Sequence, residues 1–175
     1  MMNQNQCNDQ VSFRLYTSAC RAGWFGQIWA NLQGQPRRLR DLTAVAASGA
    51  VGDRRAARTQ AVPIHQICGS EGRCDDFDSA FRPLKWHTQD RWLNVARGYL
   101  AGRGLPPVEL IQIGAAYFVR DGHHRISVAA ALGQQEIDAV VTIWQVAESA
   151  LQECPAGAMP TPQREAPALA EAMVA

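Results

Sequence analysis

Apolar residues recur at three- and four-residue steps between Phe13 and Leu32: Phe13, Tyr16, Cys20, Trp24, Phe25, Ile28, Trp29 and Leu32. That spacing gathers them on one side of an α-helix and predicts one or two amphipathic helices, with Gly23 and Gly26 as weak points. The polar residues 1–11 ahead of it are expected to fray. "QGQPRRLRDLTAV" predicts a basic turn leading into a short helix, and "SGAVGDRRAARTQ", rich in glycine and arginine, predicts a loop.

From residue 61 the pattern changes. "AVPIHQI" predicts a short strand at Val62–Ile67, and an acidic loop, "CGSEGRCDDFDSAFRPLKWH", follows it. "TQDRWLNVARGYLAGRG" predicts a helix: Thr88 suits the N-cap and Asp90 the first turn, Trp92, Val95, Ala96, Tyr99 and Leu100 form one stripe, and Gly102 and Gly104 stop it. "LPPVELIQI" starts a strand after two prolines, Gly114 turns the chain, and "AYFVR" is the next strand. Ile126, Ala129, Ala130 and Leu132 form a second helical stripe ended by Gly133, and "IDAVVTIW" is a last strand. The expected fold is a small α/β (α+β) domain at 61–150. A helical, arginine-rich appendage precedes it at 1–60, and a Pro/Ala/Glu-biased, disordered tail follows at 151–175.

Composition refines this little. Net charge is +1, but eight arginines face three acids up to Gln60. That basic front half fits either a polyanion such as DNA or an ordinary solvated surface. The five cysteines are odd in number and lack zinc-site spacing, which suits free thiols in a reducing compartment. The start lacks a signal peptide's apolar core and no run is long enough to span a bilayer, so a cytoplasmic location is expected.

The stretch that invites chemistry is "DGHHR", Asp121 to Arg125, at a strand-to-helix junction. A helix start presents unpaired N–H groups and the positive end of a dipole. Gly122 allows an unusual backbone and close approach of a ligand. His124 and Arg125 add donors, and arginine matches phosphate oxygens with two prongs. Together these residue types make an anion pocket, most naturally for nucleotide phosphate. Asp121 would hold a magnesium ion or orient a histidine. The alternative is purely structural: an Asp-Gly turn, histidines at a helix cap, and Arg125 paired with a carboxylate such as Asp138.

"VPIHQI…DRWLNVARGYLAGRGLPPVELIQIGAAYFVRDGHHRISVAAALGQQEIDAVVT" resembles the ParB/sulfiredoxin-like superfamily over about half the chain, Ala61 to Trp144. The resemblance implies a compact fold that binds ATP, CTP or ADP phosphates at this turn, with His124 and Arg125 on the phosphate-binding pair. Further phosphate contacts are implied near Arg91 and Asn94. The sulfiredoxin redox cysteine corresponds to His123, so sulfinic-acid reduction is not expected, and His123 becomes the candidate acid/base or metal ligand. Because the sequence ends soon after the family core, a full partition protein is not expected.

Other candidates are weaker. Asp76 and Asp78, in "CDDFD", could join Asp121 in holding Mg²⁺ or Mn²⁺, or could simply belong to a solvated acidic loop. "GSEGR" (Gly69–Arg73) could be a second phosphate-approaching loop or only a turn, with Glu71 as a candidate general base. Lys85-Trp86-His87 could contact a base, although a partly buried tryptophan is the simpler expectation. The functional expectation is a metal-assisted ATPase or nuclease hydrolysing phosphoester bonds on DNA in a plasmid or mobile-element setting. A nucleotide-dependent small-molecule kinase and a non-catalytic nucleotide-gated module are the alternatives.

Overall fold

The computed structural model describes residues 4–34, 37–47, 51–104 and 106–146, with backbone alone at 5, 51–56 and 146. The tail expected from 151 on lies outside these residues. The elements are α1 (Gln4–Leu32), β1 (Arg40–Asp41), α2 (Leu42–Ala47), β2 (Val51–Pro63), β3 (Ile67–Ser70), α3 (Gln89–Leu100), β4 (Val108–Ile113), β5 (Ala116–Asp121), α4 (His123–Ala131) and β6 (Glu136–Val146). Short 3₁₀ turns stand at Ile64–Gln66 and Trp86–Thr88.

The strands form one six-stranded sheet in the order β1-β3-β5-β4-β6-β2. β1–β3, β3–β5 and β4–β6 are parallel, while β5–β4 and β6–β2 are antiparallel. The chain is therefore an α/β protein with a mixed sheet and a long N-terminal helix.

Side-chain alternation along the central strands sorts the core into layers. Val108 and Leu110 of β4, with Tyr117 and Val119 of β5, face Ile126 and Ala129 of α4. Ile111, Ile113, Ala116 and Phe118 face the opposite way and pack with Leu42 of α2. A third cluster joins Tyr16 of α1, Trp92, Leu93 and Ala96 of α3, and Val128 of α4. Helix α4 thus lies between the sheet and the α1–α3 pair, which is why so much of it is small and apolar. Trp92 Nε1 donates to Ser127 Oγ at 2.8 Å and fixes α3 against α4.

Several expectations are corrected. The segment read as a loop, "SGAVGDRRAARTQ", is mostly β2, an edge strand paired to β6 with two register shifts. Its pairing is through the backbone, so it carries no apolar alternation to announce it. The sheet accordingly draws strands from both sides of residue 60. The strand expected at Val62–Ile67 is split: β2 ends at Pro63, a 3₁₀ turn intervenes, and β3 begins at Ile67. Helix α1 is continuous through Gly23 and Gly26, and its helical part starts at Gln4 rather than after residue 11. A Cβ on Gly23 would stand 3.2 Å from Arg82 Cβ and 3.3 Å from the Pro83 carbonyl. The glycines are where the loop before α3 leans on the helix, tied there by Arg82 Nη1 donating to the Ala22 carbonyl. Of the apolar stripe on α1, Tyr16 is buried, whereas Trp24, Phe25, Ile28, Trp29 and Leu32 are exposed. Thr88 precedes α3 without capping it; its hydroxyl donates backwards to the Lys85 carbonyl at 2.6 Å, because a 3₁₀ turn leads into the helix.

Candidate functional site

β5 delivers the chain into the histidine turn, and Gly122 makes the corner. Its φ of 102° and ψ of 18° lie in the left-handed region. A Cβ there would stand 2.5 Å from Val108 Cγ1, so both the angle and the space demand glycine. Helix α4 begins at His123 with no side-chain cap. Its first-turn N–H groups and dipole end face outward from the helix without a side-chain acceptor.

His123 points back into the protein. Its Nε2 lies 2.6 Å from Ser70 Oγ, at the end of β3. Ser70 Oγ also accepts the backbone N–H groups of Gly72 and Arg73, at 3.2 and 3.1 Å. Two acceptances use both lone pairs of the hydroxyl, so its proton is donated to Nε2 and the ring hydrogen of neutral His123 sits on Nδ1. Burial, and then the positive charge of Arg73, push its pKa down to about 4. The "GSEGR" turn is therefore clamped directly onto the "DGHHR" turn.

His124 forms the floor of the candidate site. It is 7% exposed, and its Nδ1 is buried with no hydrogen-bond partner. Phe77 holds both rings, stacked on His123 with centroids 6.1 Å apart and edge-on to His124 at 5.3 Å. Burial, then the charges of Arg73 and Arg91, bring the His124 pKa down to about 4, with Asp76 opposing them. Asp76 is itself approached by Lys85 Nζ at 3.4 Å, His87 Nε2 at 3.5 Å and Arg73 Nη1 at 3.6 Å. Arg73, Lys85 and Arg91 thus bring three positive charges to the neighbourhood of one carboxylate and two neutral imidazoles. Their side chains reach solvent, so the cluster is a cationic rim above a buried, polar floor. Such an arrangement favours an anion that can replace part of Asp76's role.

The other sequence candidates fall elsewhere. Arg125 does not face this rim. Its Nη1 donates to the Pro106 and Pro107 carbonyls at 2.5 and 2.7 Å, and its Nη2 to Asp121 Oδ2 at 2.7 Å. The guanidinium expected on phosphate, or on Asp138, instead staples the double-proline segment to the end of β5. Asp121 is occupied by that pair. Glu71 lies 3.6 Å from Arg120. By strand alternation Arg120 belongs to the α2 side of the sheet, which draws Glu71 away from the histidines. Asn94 is exposed on α3 and accepts from Arg97 Nη1 at 3.1 Å. Asp78 is buried; its Oδ1 accepts the N–H groups of Ala80 and Arg82 at 2.9 and 2.8 Å. Its other oxygen stands over Gly26 of α1, with Arg37 and Arg82 nearby.

Asp76 and Asp121 approach His123 while paired to different cations, and Asp78 lies apart against α1. Among the described residues, no group of three or more His, Cys, Asp or Glu side chains is placed to hold a metal ion. The three carboxylates expected together on Mg²⁺ therefore do not form one cluster among the described residues.

The early arginines are also dispersed. Arg14 and Arg21 are exposed on α1, Arg38 pairs with Asp75 at 3.5 Å, and Arg58 is exposed on the edge strand; the side chains of Arg54 and Arg55 lie outside the description. Ser70 and Arg73 are the residues that sequence reasoning did not single out. The signal for them was the "GSEGR" turn itself, a small polar residue at a strand end followed by Gly and Arg. A surface groove between α1 and α3, lined by Asp9, Gln10, Phe13, Arg14, Leu93 and Arg97, shares no residue with this site. Among the described residues no helix is long and apolar enough to cross a membrane. Comparison with family models, with curated proteins and with solved structures finds no match to this chain.

Proposed function

We propose that the protein binds the phosphate groups of a nucleotide, ATP or CTP, at the N-terminus of α4. The observation that carries the reading is the uncapped helix start at Gly122-His123, set beside the unpartnered Nδ1 of His124 and ringed by Arg73, Lys85 and Arg91. Backbone N–H groups, a helix dipole and fixed cations all favour a multiply charged anion at one point. The likeness of residues 61–144 to the ParB/sulfiredoxin family supports the same reading from the sequence side, since it implies phosphate binding at this turn.

Within that reading the roles shift from those the sequence alone suggested. Arg73, Lys85 and Arg91 hold phosphate oxygens, and the buried His124 imidazole backs the turn. His123 is a positioning residue that locks the turn through Ser70. Arg125 and Asp121 tie the double-proline segment to the end of β5. A binding module, gated by nucleotide, is the reading we favour over hydrolysis, because Asp121 is paired with Arg125 and Glu71 with Arg120.

Isothermal titration with ATP, CTP and ADP, with and without Mg²⁺, tests this. Wild-type protein binds at least one of them. Arg73→Ala weakens that binding roughly 10- to 100-fold, the worth of a charge-assisted hydrogen bond. No heat with any nucleotide, or unchanged affinity in the variant, rejects the reading.

A further inference from the structure

Trp86 is 85% exposed, the most exposed large apolar side chain among those described. It stands in the 3₁₀ turn Trp86–Thr88 that leads into α3. Its two chain neighbours, Lys85 and His87, both reach Asp76, at 3.4 and 3.5 Å. Asp76 is the carboxylate at the centre of the cationic rim, and its charge acts on both histidines of the turn. The backbone of residue 86 is therefore held at the edge of the anion site by a contact on either side of it, while its ring remains in solvent.

We infer that Trp86 is the platform on which the nucleobase of the bound nucleotide stacks. The inference rests on the phosphate-site reading above and adds to it the part of the ligand that is not phosphate. An anion seated against Lys85 lies against the residue that immediately precedes the turn carrying Trp86. In a nucleotide the sugar separates base from phosphates, so a base platform has to stand beside the phosphate site rather than inside it, and Trp86 lies in the chain between the two residues that reach Asp76. An indole gains free energy from a flat aromatic partner and is sequence-tolerant, because every base has a π-face. Lys85 next to it adds a cation at the margin of the stack. Among the described residues of the rim, Trp86 is the one large aromatic whose ring is free; Phe77 is fully buried against the two histidines. The site then selects a nucleotide over a bare polyphosphate through stacking, with no hydrogen-bond readout of base identity assigned to this residue.

The test compares three probes, ATP, CTP and inorganic tripolyphosphate, on wild type, Trp86→Ala and Trp86→Phe. The expected result has three parts. Trp86→Ala weakens ATP and CTP about tenfold or more. Trp86→Phe retains most of the affinity. Tripolyphosphate binds all three proteins alike. Equal nucleotide affinity in wild type and Trp86→Ala overturns the platform, and so does a Trp86→Ala loss that is the same for tripolyphosphate as for ATP. Tripolyphosphate that binds wild type while Trp86→Ala leaves ATP unaffected sinks the platform alone and spares the phosphate site. Failure of wild type to bind any of the three probes removes the phosphate reading, and the platform with it.

Discussion

At the scale of single residues, the turn separates groups that shape the site from groups that would meet a ligand. Gly122 shapes it. Gly122→Ala forces a side chain into the left-handed region and a Cβ against Val108, and the combined cost is expected to be about 3 kcal/mol or more. Gly133, at φ 77° with nothing within reach of a Cβ, pays only the backbone term, about 1–2 kcal/mol when replaced by Ala. Urea denaturation of the two variants gives that order; equal losses would mean that the Val108 contact is unimportant. Arg125 and Arg73 form a second contrast. Arg125→Ala removes a guanidinium that spans two carbonyls and a carboxylate, so thermal stability falls, by about 1–3 kcal/mol, while the folded fraction still binds nucleotide. Arg73→Ala does the reverse. The sequence could not distinguish these two arginines. "DGHHR" offers Arg125 as the obvious donor, but which way a side chain leaves a helix's first turn depends on what lies beyond it, here the carbonyls of Pro106 and Pro107.

At the scale of elements, the strands and helices with strong patterning were legible: α3 with its Trp92–Ala96 stripe, β4 and β5 around Gly114, α4, and β6. Those are the elements buried on one or both faces, where periodicity records burial. β2 was not legible, because an edge strand of Ala, Arg, Thr and Gln pairs through its backbone and leaves no apolar record. β3 was displaced by a few residues because Pro63 and the 3₁₀ turn after it interrupt an apolar run that reads as continuous. The charge that Arg91 of α3 brings to bear on His124 depends on how α3 meets α4, and Trp92 and Ser127 link the two helices. Ser127→Ala leaves the indole N–H buried without an acceptor and is expected to cost about 1–3 kcal/mol. If the helices are coupled as described, it also weakens nucleotide binding, and Trp92→Phe costs at least as much as Ser127→Ala, because it opens a cavity in the core as well as removing the donor. Chemical denaturation and titration of both variants check this pair of outcomes.

At the scale of the whole molecule, the site is a place where charge is managed under burial. Two neutral imidazoles, each with a pKa lowered from 6.5 to about 4, sit at the junction of sheet and helices. In the unfolded chain each takes up a proton below about pH 6.5, whereas in the folded protein neither does until near pH 4. Their contribution to stability is therefore complete above about pH 6.5 and is lost as pH falls towards 4, with about 2 kcal/mol gone per imidazole near pH 5. Urea titrations near neutral pH and near pH 5 read this directly; a flat profile would mean that the rings are hydrated or paired. How much of the site was legible follows the same logic. The strand-to-helix corner at Gly122-His123 was visible in the sequence, because an Asp-Gly step separates an apolar strand pattern from a helical one. Ser70, Arg73 and the divergence of the three aspartates were not, because they depend on which loops the sheet order brings together. The central claim is that a phosphate group meets the N-terminus of α4. The most direct test is an amide ¹H–¹⁵N titration with tripolyphosphate and then ATP. The account predicts that the largest shifts fall on the amides of Gly122 to Arg125 and of Gly72 and Arg73, saturating together. Shifts confined to other elements, such as α1 or the edge strand β2, with those amides unmoved, would contradict it.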